Sequence, residues 1–167
     1  MKLVVTCRNY RIQQTYQAIR RLLPRAEISK TPFRGVFLVE ADGDPIEVAR
    51  ELNRCASVGR AVPVLAEAES NPEAVKQAAI CVSEWIKKGE SFSFRLHKRG
   101  SHQLDKPTPE LEREIGAELR KAIKERIGAE PEVELEKPDV EISAEVLGPL
   151  TYVGILRSNW RFKTRKR

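Results

Sequence analysis

Three observations predict an α+β protein built from two domains. Strand-period and helix-period segments follow one another over residues 1–66 in the order β-α-β-β-α-β. A polar connection, "EAESNPEA" (67–74), then separates them from a second set of helices and strands, and the final eleven residues, "RSNWRFKTRKR", are strongly basic. With 167 residues the chain suffices for one core or for two small domains sharing an interface. The division expected is residues 1–69, residues 70–157 and a basic tail over 158–167.

"KLVVTC" (2–7) reads as a buried strand, and 10–23 as a helix with Ile12, Tyr16, Ile19 and Leu23 on one face before Pro24 stops it. Residues 26–31 and 35–41 are two strands joined by a turn containing Pro32 and Gly35. Asp44 caps a helix whose Pro45 suits the first helical position, and its apolar face continues through Leu52 and Cys55 to Gly59. "AVPVLA" (61–66) supplies the last strand, which completes the ferredoxin-like supersecondary pattern.

Asn71 and Pro72 start the next amphipathic helix, burying Val75, Ala79, Val82 and Ile86, with Trp85 close by and Gly89 as the stop. In "SFSFRLH" (91–97), Phe92, Phe94 and Leu96 alternate with Ser93, Arg95 and His97, the period of a half-buried strand. Its apolar trio faces a core, and Arg95 and His97 face the other way. "KRGSHQLDKP" (98–107) is a loop turning at Gly100. Thr108 then caps a long helix with Pro109 behind it, and Leu111, Ile115, Leu119, Ile123 and Ile127 form its apolar stripe up to Gly128. "DVEISAEV" (139–146) and "LTYVGIL" (150–156) are the closing strands.

The chain has 30 basic and 24 acidic residues, and six of the basic ones lie in the last eleven positions without an acid. Residues 1–156 therefore balance, and the net charge belongs to the tail. A neutral body with a basic, aromatic-studded end points to a polyanion, most simply nucleic acid. Cys7, Cys55 and Cys81 are widely spaced and lack a CxxC pair, which excludes a disulfide framework and the familiar zinc spacings; each sits among apolar residues and is expected to be a reduced, buried thiol. No apolar run reaches membrane-span length and no signal peptide is legible at the amino terminus, so a soluble cytoplasmic protein is expected.

No P-loop, dinucleotide glycine pattern or paired-carboxylate motif stands out, and no cofactor or metal is expected. His97 and His102 are the right residue types for general acid–base cleavage of RNA, yet two histidines within six residues of a basic loop are commoner as surface hydrogen-bonders. As metal ligands they have no third partner nearby in sequence. A small β-α-β-β-α-β unit can also carry acylphosphatase chemistry. Its glycine-rich phosphate cradle has no counterpart in "CRNYRIQ", where Arg8, Asn9 and Arg11 follow the first strand.

"FSFRLHKRGSHQLDKPTPELEREIGAEL" followed by "PEVELEKPDVEISAEVLGPLTYVGI" resembles the THUMP domain, the RNA-binding module of tRNA thiolation, methylation and pseudouridylation enzymes. The resemblance rests on Arg95, Arg99, Arg113-Glu114-Ile115-Gly116, Val133, Leu135 and Pro138-Asp139, covers about residues 70–157, and commonly has a ferredoxin-like unit before it. It implies binding of the acceptor end of tRNA. The residues agree: Arg95 and His97 on a strand face, Lys98, Arg99 and His102 on a loop, and Arg157, Arg161, Lys163, Arg165, Lys166 and Arg167 towards the end form a candidate phosphate footprint. Trp160 and Phe162 are candidates for base stacking, with a core position equally open to Trp160. Glu114 and Asp139 are expected to organise the helix and strand starts rather than meet RNA. The multidomain members continue into a catalytic domain, and none is legible in these 167 residues. The chain most resembles the stand-alone THUMP proteins that assist tRNA cytidine acetyltransferase, so a non-catalytic adaptor is expected. A detached specificity subunit of a thiolation or methylation enzyme is the alternative.

Overall fold

The computed structural model describes residues 1–160. It divides into two units, residues 1–64 and residues 65–158, with Asn159 and Trp160 grouping with the first.

In the first unit, β1 (Lys2–Cys7) leads through a 3-10 turn (Arg8–Tyr10) into α1 (Ile12–Leu22), then β2 (Glu27–Lys30), β3 (Val36–Glu40), α2 (Pro45–Asn53) and β4 (Val58–Pro63). The sheet order is β2-β3-β1-β4, and every neighbouring pair is antiparallel. That is the ferredoxin-like arrangement: each helix carries the chain past one strand, so β1 is central, and its Leu3, Val4 and Val5 are completely buried. The start of α2 follows the sequence reading. The Asp44 carboxylate accepts a hydrogen bond from the Ile46 amide at 2.9 Å, with Pro45 in the first turn. At its other end Asn53 is buried without being orphaned. Its amide donates to the Ala49 and Ala61 carbonyls at 2.7 and 2.8 Å and accepts from the Ala61 amide at 3.0 Å, which fastens α2 to β4.

The second unit contains β5 (Ala66–Glu69), α3 (Pro72–Val82), a 3-10 turn (Ser83–Trp85), β6 (Ser91–His97), α4 (Thr108–Ile127), β7 (Glu132–Val133), β8 (Val140–Leu147) and β9 (Leu150–Arg157). Its sheet is mixed, in the order β5-β9-β8-β6-β7. β6 runs parallel to β7 and β8, so a long helix, α4, makes the crossover that a parallel pair needs. β8 and β9 form an antiparallel hairpin, and β5 adds antiparallel to β9.

Several sequence expectations change. Residues 67–69, read as the start of a connection, and Ala66, read as the end of the preceding strand, form a separate strand whose Ala66 to Glu69 pair with Val153 to Leu150. The two residues of β7 carry no period that a sequence could display. β6 is not half-buried along its length: Ser93 is buried with Phe92 and Phe94, because an interior strand with parallel neighbours is covered on both sides and a serine is small enough to fit. Thr108 does not cap α4; it is the first helical residue, and the Pro107 carbonyl receives the Glu110 and Leu111 amides at 3.0 and 3.1 Å. Gly128 closes α4 in the left-handed conformation, φ 68°, as its position implied. The thiols are not all buried either. Cys81 lies off the Val75, Ala79, Val82 stripe of α3 and is exposed, while Cys7 and Cys55 are half-buried.

Candidate nucleic-acid interface

The basic stretch that opens on β6 is assembled by two devices. The first fixes its start. Asp139, just before β8, accepts hydrogen bonds from the Ser91 amide (2.9 Å) and hydroxyl (3.2 Å), and its own amide donates to the Ser91 oxygen at 3.0 Å. Asp139 thus sets the register of two parallel strands, the organising part its sequence position suggested. Glu114 does something else: its carboxylate takes Lys106 at 2.9 Å, an exposed ion pair that ties the loop to α4. That contact raises the Lys106 pKa above its ordinary value.

The second device holds the 98–107 loop. Gly148 donates to the Arg99 carbonyl at 2.8 Å, Gln103 donates to the Ser70 carbonyl at 2.8 Å, and Leu104 is completely buried. A loop pinned at three places presents its side chains in set directions.

Those directions sort the candidate residues. Arg95, half-exposed, donates to the Leu135 carbonyl at 2.6 Å and lies 3.6 Å from Glu112, whose other oxygen accepts the Leu96 amide at 2.9 Å. Lys98 donates to the Lys106 carbonyl at 2.5 Å. Arg99 pairs at 2.8 Å with Glu145, a carboxylate with no exposed surface, and Arg157 pairs at 2.6 Å with Glu90 while donating to the Trp85 carbonyl at 3.3 Å. Arg99 and Arg157 are therefore each paired with a carboxylate, and a phosphate would have to compete with Glu145 or Glu90 for them. His97 is half-buried at the end of β6. His102 accepts the Leu104 amide on Nδ1 at 3.1 Å and lines a different groove, of about 560 Å³, with Ser70, Gln103 and Leu150. Trp160 is only 3% exposed, which favours the anchoring alternative over base stacking. Arg161, Lys163, Arg165, Lys166 and Arg167, with Phe162, lie outside the described residues.

A groove of about 540 Å³ opens between β6, α4 and the segment after β7. Phe92, Phe94, Val133 and Leu135 give it apolar walls, Gly116 and Ala117 keep α4 low beneath it, and Arg95, Arg113 and Arg120 stand around it. Arg120 is paired with Glu130, whose pKa falls below the carboxylate range because of Lys124 and Arg120. Arg113 is exposed and makes no ion pair or hydrogen bond among the described residues. Apolar walls with a guanidinium rim suit an unstacked base and its phosphates. The sequence reading used Arg113 only as a family mark and passed over Arg120. Their seven-residue separation across Gly116 and Ala117, one helix face beside the apolar stripe, was the available signal. Among the described residues no group of acidic, histidine or cysteine side chains could hold a metal ion. No helix is long and apolar enough to cross a membrane.

Residues 70–156 match the model of the THUMP domain, and the chain belongs to that family. The chain is 28% identical over 128 residues to an uncharacterised protein of Methanocaldococcus jannaschii, covering 77% of this chain and 32% of the relative, so it spans about a third of that protein's length. PH1313 from Pyrococcus horikoshii superposes with a TM-score of 0.62 at 19% identity, covering 94% of this chain and 55% of that one. A 4-thiouridine synthetase solved as an RNA complex with bound ATP gives a TM-score of 0.61 at 18% identity, covering 93% and 41%. At such identities the likeness is one of fold.

Proposed function

We propose that this protein is a tRNA-binding adaptor. It grips the acceptor end and presents the tRNA to a modification enzyme, a tRNA cytidine acetyltransferase, without performing chemistry itself. The observation that carries the reading is the groove walled by Phe92, Phe94, Val133 and Leu135, with the uncommitted Arg113 at its rim, inside the part of the chain that matches the THUMP domain. Family membership supports RNA as the ligand, and so does the synthetase of like fold, which was crystallised with RNA. An adaptor of this kind works by geometry: holding one end of a rigid RNA places a distant nucleotide at a partner's active site and raises its effective concentration there.

The test is binding of an intact tRNA, and of the same tRNA trimmed of its 3′ single strand, over a salt series. The proteins are the full chain, Arg113→Gln, and a full chain with Arg161, Lys163, Arg165, Lys166 and Arg167 replaced by Gln. The trimmed RNA and Arg113→Gln should each cost affinity, and the tail variant should flatten the log–log salt slope by up to about 4 to 5. Equal, weak binding of both RNAs by every protein would sink the acceptor-end grip. The fold likeness to the 4-thiouridine synthetase favours a second reading, a detached specificity subunit of a thiolation enzyme; the catalytic polypeptide that co-purifies separates the two.

A further inference from the structure

The first unit carries a feature that the groove of the second does not use. At the far end of β1 three segments are stitched together: the Cys7 amide donates to the Gly35 carbonyl at 2.8 Å, and the Arg8 amide to the Ser57 carbonyl at 2.7 Å. The stretches that meet there, 6–12, 30–36 and 55–60, contain Arg8, Arg11, Lys30, Arg34 and Arg60 and no acidic residue. The opposite end of the same sheet is mixed: Glu27 and Glu40 face each other across β2 and β3, with Asp42 and Asp44 following, but Lys2 lies 3.8 Å from Glu40, and Arg25 and the amino terminus are there too. The acid-free end is therefore the place on this unit suited to an anion.

At the basic end the backbone is strained. Among the described residues, Asn9 and Tyr10 are the two non-glycine residues of positive φ, at 49° and 56°. Asparagine tolerates that region, but for a bulky tyrosine it is an outlier. The strained turn delivers the Tyr10 ring to solvent, 68% exposed, the most exposed large hydrophobic among the described residues. The Arg34 guanidinium sits over that ring, 4.8 Å from its centre. A strained backbone that holds an aromatic ring in water, steadied by the Arg34 guanidinium and with Arg8 and Arg11 beside it in sequence, has no packing role to explain it.

We propose that this end of the first unit is a second RNA contact, in which Tyr10 stacks on an unpaired or terminal base while Arg11 and Arg34 meet the flanking phosphates. The inference rests on the RNA-binding reading and adds to it a site remote from the groove residues in sequence.

The experiment measures affinity for an in vitro transcribed tRNA, the salt slope and the melting temperature for the full chain and for Tyr10→Gly, Arg11→Gln/Arg34→Gln and Arg113→Gln. Glycine adopts positive φ freely, so Tyr10→Gly should melt no lower than the parent while binding RNA about tenfold more weakly. The double arginine variant should lower the salt slope by roughly 1.5 to 2. If both variants bind within twofold of the parent while Arg113→Gln is impaired, the proposal is overturned. If the parent binds no tRNA, the RNA reading itself fails and this site goes with it.

Discussion

Cys81 and Arg99 show how a single side chain's surroundings decide its chemistry. Burial pushes the Cys7 thiol above its ordinary pKa against a smaller opposing hydrogen bond from Thr15. Burial also raises Cys55, with Arg21 opposing and Glu51 adding. Fewer thiolates and less access both slow a thiol reagent. Alkylation of the native protein followed by peptide mapping should therefore modify Cys81 first, with Cys7 and Cys55 lagging until denaturant is added; equal rates would contradict the placement of α3's outer face. Arg99 makes the converse point. It neutralises Glu145, and removing it leaves a fully buried carboxylate without that partner. Arg99→Ala should cost about 3 kcal/mol in urea unfolding. A loss of RNA binding in that variant would then reflect stability before it reflected contact.

At the scale of elements, what was legible followed from periodicity and end signals. The stripe at Leu111, Ile115, Leu119 and Ile123 and the glycine at 128 are enough to draw α4, since burial and left-handed backbone have distinct residue preferences. Asp44-Pro45 and Asn71-Pro72 are likewise written starts, and both side chains accept the expected amides. What escaped was set by partners far along the chain. β5 is four residues, "AEAE", whose strand character comes from the edge of β9, and β7 is two residues defined by their pairing with Ser91 and Phe92 at the start of β6. The groove shared this fate: Arg113 and Arg120 are ordinary helix-surface arginines until Val133 and Leu135 are brought opposite them. The same distance-dependence makes Asp139 testable. Asp139→Asn weakens both of its hydrogen bonds from Ser91 across the β6–β8 pair, so the midpoint of urea unfolding should fall by an amount worth about 1 to 2 kcal/mol. Affinity for tRNA, measured well below the melting temperature, should stay within twofold. Lost affinity in a fully folded variant would instead make Asp139 part of the interface.

At the scale of the whole chain, the path leaves the first unit at residue 64, builds the second, and at Asn159 and Trp160 regroups with the first. Trp160, nearly without exposure, is the large side chain at that return. The tryptophan of a basic, aromatic tail and the tryptophan of a closing anchor predict different outcomes for one substitution. As an RNA-stacking ring, Trp160→Ala would leave stability alone and weaken binding by the value of one stacked base, roughly 1 to 3 kcal/mol. As an anchor, Trp160→Ala opens a cavity and should destabilise the protein by about 3 to 5 kcal/mol, with affinity of the still-folded protein little changed. Burial argues for the second. Thermal unfolding of Trp160→Ala beside the Gln-substituted tail variant separates the two parts of the carboxy-terminal stretch. The tryptophan variant should lose stability and keep its salt slope, whereas the tail variant should keep stability and lose slope.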